Sequence, residues 1–116
     1  MAVPRVEFLW WEGCPSWERA LSGLVAAMKD AGLDPEAIEQ RRIASEHQAR
    51  AEEFVGSPTI RIDGRDVEPP GTDEQAALTC RVYRRGDGRA SPLPDPDKVH
   101  AALARARAET GTEPET

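Results

Sequence analysis

Residues 3–11 carry the apolar run Val6, Phe8, Leu9, Trp10 and Trp11, with Arg5 and Glu7 the charged positions inside it. That pattern predicts a central strand buried on both faces. Gly13 breaks it, and over residues 15–31 Trp17, Leu21, Leu24, Val25 and Met28 recur at spacings of three and four, the stripe of an amphipathic first helix. Gly32 followed by Leu33 predicts a left-handed C-terminal cap with its hydrophobic contact, and Asp34-Pro35 forbids continuation. An edge strand is expected over residues 37–43, where Ile38 and Ile43 flank charged positions. Ser45 and Gln48 fit a capping box that starts a second helix reaching about Phe54. His47 on that helix reads as an exposed or half-packed side chain.

Pro58-Thr59-Ile60-Arg61-Ile62 leads with proline into an alternating strand, and Asp63-Gly64 predicts a hairpin turn into a short return over residues 65–67. Pro69, Pro70 and Gly71 place a surface loop over residues 68–77. Leu78, Cys80 and Val82 then alternate with Thr79, Arg81 and Tyr83, predicting a short strand that Gly86-Asp87-Gly88 ends. Asp95-Pro96-Asp97 supplies an N-cap, a first-position proline and an acid for the last helix, whose apolar face is Val99, Ala102, Leu103 and Ala106. Residues 109–116 are small, polar and acidic, and are expected to be a disordered tail behind a single domain of residues 1–108. Strands and helices in this order predict an α/β sandwich, with helices on both faces of a mixed sheet of four or five strands.

The length of 116 residues suits one domain. No stretch reads as a membrane span or a signal peptide, so a cytoplasmic location and no membrane partner are expected. A formal net charge of −6 argues against nucleic acid as partner, since no surplus of Lys and Arg neutralises phosphates. Arginines at 41–42, 61–65 and 81–89 still leave room for a local anion site. The two cysteines, Cys14 and Cys80, are too few for a disulfide framework or a four-thiolate zinc site, and no metal ligands or cofactor are assigned. They remain a redox pair, a reactive thiol with a bystander, or two structural residues.

Cys14 falls at the turn from first strand to first helix. With Pro15 at the first helical position, Cys14 is expected at the N-cap, where free N–H groups and the helix dipole favour a thiolate. Gly56-Ser57-Pro58-Thr59 before the third strand completes a pattern that resembles the thioredoxin superfamily over roughly residues 3–107. Cys14-Pro15-Ser16-Trp17, Ser57-Pro58-Thr59-Ile60 and Thr79-Cys80-Arg81-Val82-Tyr83 are similar to small bacterial thioredoxin-like proteins, some labelled as related to alkylmercury lyases. The resemblance implies a thioredoxin-like three-layer sandwich in which Pro58 is cis and lies against Cys14. Trp17 stands where thioredoxins carry their second, resolving cysteine, so two-thiol chemistry here must recruit Cys80.

The leading expectation is therefore a thiol-dependent oxidoreductase with Cys14 as nucleophile. Cys80 is either its resolving thiol or a buried strand residue. Trp11, Pro15, Trp17, Ser57, Pro58 and Thr59 would shape the substrate groove, and a disulfide-containing protein or a low-molecular-weight thiol would be the partner. Two alternatives stand beside it. One is capture of a soft metal or an organomercurial by two thiolates, with Glu12 the nearest proton donor. The other is a redox-inactive binding module, in which at least two of Trp10, Trp11 and Trp17 are expected in the core.

Overall fold

The computed structural model describes residues 4–71, 73–84 and 87–111. A four-stranded sheet runs in the order β2-β1-β3-β4, with β1 Val6–Trp10, β2 Glu39–Arg42, β3 Thr59–Ile62 and β4 Arg65–Asp66. β1 is central, parallel to β2 and antiparallel to β3, with Phe8 opposite Gln40 on one side and Ile60 on the other. Val6, Phe8 and Leu9 are fully buried, as their unbroken apolar run requires. Glu7 is buried beside them. Its carboxylate is neutralised by Arg41 at 2.9 Å, and Arg5 lies 3.4 Å away, which is how a charge is tolerated inside a central strand.

Alternation along β1 separates two cores. Val6 and Phe8 face a layer built by α1 (Trp17–Asp30) and α3 (Pro96–Gly111), where Leu24, Met28, Val99 and Leu103 pack against Ile60 and Ile62. Leu9 faces the other way, onto Ile43, Phe54 and Ala49 of the short helix α2 (Glu46–Ala51). Helices thus cover both faces of a mixed sheet.

Local sequence rules account for most boundaries. Gly32 is left-handed at φ 76°, and Leu33 N–H and Gly32 N–H bond back to Met28 and Lys29, closing the cap on α1. Ser45 Oγ accepts from Gln48 N–H at 3.0 Å, while Gln48 Oε1 accepts from Ala44 N–H one residue before the usual capping-box partner. α2 stops at Ala51 instead of reaching Phe54, because Glu53 turns left-handed at φ 55° and Phe54 N–H bonds to Ala49. Asp63 and Gly64 both take positive φ, the two-residue hairpin turn their sequence announces.

The last helix starts as expected. Asp95 Oδ1 accepts from Asp97 N–H at 3.0 Å, and Pro96 opens α3. Asp95 is itself buried, so Asp95→Ala should cost about 1 kcal/mol of unfolding free energy, read from urea denaturation. α3 continues through Gly111, two residues past the onset expected for the tail; residues 112–116, the rest of that tail, lie outside the described residues.

The segment expected to be one strand over residues 78–83 is resolved differently. Only Tyr83–Arg84 forms a strand, β5, paired with β6 Ala90–Ser91 in a separate ribbon. Its sides are reversed: Arg81 and Tyr83 are buried, while Cys80 is exposed and Val82 is 66 % exposed. The apolar residues of this stretch face out because a buried arginine and tyrosine hold the inside, as described below. Gly86, expected to help end this strand, lies outside the described residues.

Candidate functional site

The turn after β1 is built by Trp11, Gly13 and Cys14. Cys14 N–H bonds to Trp11 O at 3.0 Å, and the Trp11 ring folds over Gly13 so closely that a Cβ there would lie 2.4 Å from it. Only glycine leaves room for the ring. Cys14 does not cap the helix: α1 begins at Trp17 with Ser16 at the N-cap, because Pro15 and Ser16 form a further turn. The thiol therefore sits two residues ahead of the cap and is 2 % exposed.

Cys14 Sγ lies 3.5 Å from Ser57 O, to which it donates. Ser57 precedes Pro58 through a cis peptide bond, and its polar groups are spent within the protein. Ser57 Oγ accepts from Trp11 N–H at 3.0 Å, Ser57 N–H donates to Thr79 O at 2.8 Å, and Ser57 O accepts from Arg81 N–H at 2.9 Å. Residues 79–81 are thereby clipped alongside Ser57 as a single parallel bridge opposite Cys80. One carbonyl oxygen receives both Cys14 Sγ and the N–H following Cys80, which brings the two thiols to one point of the main chain, near enough for each to feel the other's charge. The loop after β4 thus returns Cys80 to the Cys14 turn.

Partial burial, the charge of an ionised Cys14 and the hydrogen bond to Cys14 together push the Cys80 thiol above the ordinary range. Two adjacent sulfurs resist carrying two charges. Replacing Cys14 by Ser removes the neighbouring charge, so the midpoint of Cys80 alkylation by iodoacetamide against pH should move down; an unchanged midpoint would show the sulfurs to be uncoupled.

A buried network fastens this clip. The Arg81 guanidinium is paired with Asp66 at 2.7 Å, donates to Thr59 Oγ1 at 3.3 Å and to Glu68 O, and lies 4.6 Å above the Tyr83 ring. Tyr83 O–H donates to Pro58 O, and burial pushes its phenol well above the ordinary range. Tyr83 and Asp66 are the site residues that sequence reasoning missed. An arginine in an alternating stretch looks like its solvent face until Asp66, fifteen residues away, is seen to neutralise it.

Of the expected groove residues, Ser57, Pro58 and Thr59 do lie at the thiols, but all three are buried and act as framework. Thr59 Oγ1 donates to Gly56 O at 2.7 Å. Pro15 is exposed and Trp11 half-buried. Trp17 stacks on Trp10, with ring centroids 4.0 Å apart, and both pack on the α1/α3 core. Glu12, the nearest acid in sequence, is exposed and paired with Arg42. The arginines that left room for an anion site are largely engaged: Arg41 and Arg61 share Glu52, Arg42 holds Glu12, and Arg81 holds Asp66. A groove of about 610 Å³ between β4 and α3 is lined by neither thiol. Among the described residues no group of three or more His, Cys, Asp or Glu is placed to hold a metal ion, and no helix is long and apolar enough to cross a membrane.

No family model, curated protein or solved structure matches this chain. The thiol pair at the cis Ser57-Pro58 bond is therefore interpreted from its own chemistry.

Proposed function

We propose that this protein is a thiol-disulfide oxidoreductase of thioredoxin-like type whose redox couple is Cys14 and Cys80. The observation that carries the reading is the placement of both cysteines at Ser57, whose carbonyl oxygen accepts from Cys14 Sγ and from the N–H that follows Cys80. The resemblance to thioredoxins at Cys14 and Ser57-Pro58, the central β1 and the helices on both sheet faces add to it. Trp17 removes the usual second cysteine, and Cys80 takes its place from a different element.

Two thiols held in contact can pass two electrons and two protons to a disulfide RSSR, becoming one intramolecular disulfide and releasing two RSH. Holding the sulfurs together replaces a bimolecular second step by an intramolecular one. Equilibrating the reduced protein in glutathione buffers of graded potential, then blocking free thiols and mapping peptides, should show one two-electron transition with Cys14 joined to Cys80. Treatment with diamide that leaves both thiols free, or yields only intermolecular species, would overturn the proposal.

A further inference from the structure

Resting on that reading, we infer that disulfide substrates enter at Cys80, with Cys14 as the internal resolving thiol. The observation behind it is access. Cys14 is 2 % exposed within the turn that follows β1, while Cys80 is exposed between the exposed Thr79 and Val82. An incoming disulfide needs its S–S bond in line with the attacking sulfur, and only Cys80 offers such an approach. This reverses the order in which Cys14 would attack first.

The steps balance. The Cys80 thiolate attacks one sulfur of RSSR, forming the Cys80–SR bond and expelling RS⁻, which takes up the proton Cys80 gave to solvent. The Cys14 thiolate then attacks the Cys80 sulfur, forming the Cys14–Cys80 bond and expelling the second RS⁻, which is protonated in turn. Run backwards, a small thiol attacks the Cys80 sulfur and Cys14 leaves.

The test uses oxidised glutathione with the full chain. Cys14→Ser should accumulate a stable glutathione adduct at Cys80, whereas Cys80→Ser should be modified at Cys14 at least about tenfold more slowly, the effect of burying the nucleophile. Acid-quenched wild type, mapped within the first turnover, should carry its transient adduct on Cys80, a readout that survives if either variant folds poorly. A first adduct on Cys14, or equal rates for the two variants, overturns the entry at Cys80. Either result can occur while the Cys14–Cys80 disulfide still forms with diamide, so these failures are separable from failure of the redox couple itself.

Discussion

Arg81→Met should lower the unfolding free energy by about 3–5 kcal/mol, the loss typical when one partner of a buried ion pair is removed. The Arg81 side chain is 4 % exposed and Asp66 is 12 % exposed. Methionine keeps much of the length and leaves the Asp66 carboxylate without its cation, Glu68 O and Thr59 Oγ1 without a donor, and the Tyr83 ring without the guanidinium above it. Most of the penalty is the stranded carboxylate. Adding Asp66→Leu should therefore recover a large part of the loss, because removing both partners of a buried pair costs far less than removing one. Urea denaturation of wild type, single and double variants measures this directly. A single-variant loss below about 1 kcal/mol would mean that solvent already screens the pair, as at exposed ion pairs.

The same network marks where the sequence stopped being informative. Elements governed by short-range rules were readable: the apolar run of β1, the Gly32-Leu33 cap, the Asp63-Gly64 hairpin and the Asp95-Pro96 start all follow from a few adjacent residues. β2 was also placed correctly, as an edge, from its charged positions. The segment 78–83 was not, because alternation assigns the apolar members to the inside, and here a long-range pairing reverses that choice. Arg81 is drawn in by Asp66 and Tyr83, and a period of two then turns Cys80 and Val82 outward. β6 was missed for a related reason, since two residues paired with β5 leave almost no pattern of their own. Half of the site was legible as Cys14 beside Ser57-Pro58. That Cys80 would meet Cys14 was visible only as one option, because nothing in the spacing of 14 and 80 fixes how the intervening chain folds. Cys14 is not the N-cap that Pro15 at a first helical position predicts, because a further turn delays the helix to Trp17.

Gly56→Ala should separate the two thiols without touching either. Gly56 has φ 145°, a conformation that a Cβ disfavours, and a Cβ there would lie 3.0 Å from Arg81 Cα and Cβ and 3.1 Å from Arg81 N. Those are mostly main-chain atoms of the clip itself, so they cannot swing aside as a flexible side chain would. Accommodation must come from residues 79–81 moving off Ser57, which lengthens the Ser57–Thr79 and Arg81–Ser57 hydrogen bonds and carries Cys80 away from Cys14. Unfolding free energy should fall by about 1–3 kcal/mol from the backbone strain alone. The more telling effect is on the couple. If the clip's position sets the contact between the sulfurs, closing the Cys14–Cys80 disulfide becomes harder by roughly tenfold, and its potential rises by about 30 mV, toward easier reduction. Glutathione titration of the variant measures that shift, and wild-type stability data allow it to be compared with the global loss. A variant that is destabilised yet keeps its potential would show that the sulfurs find each other independently of the Ser57 bridge. A raised potential together with faster alkylation of Cys14 would place the coupling in the main chain at Ser57, since removing the clip would both weaken the disulfide and uncover the buried thiol.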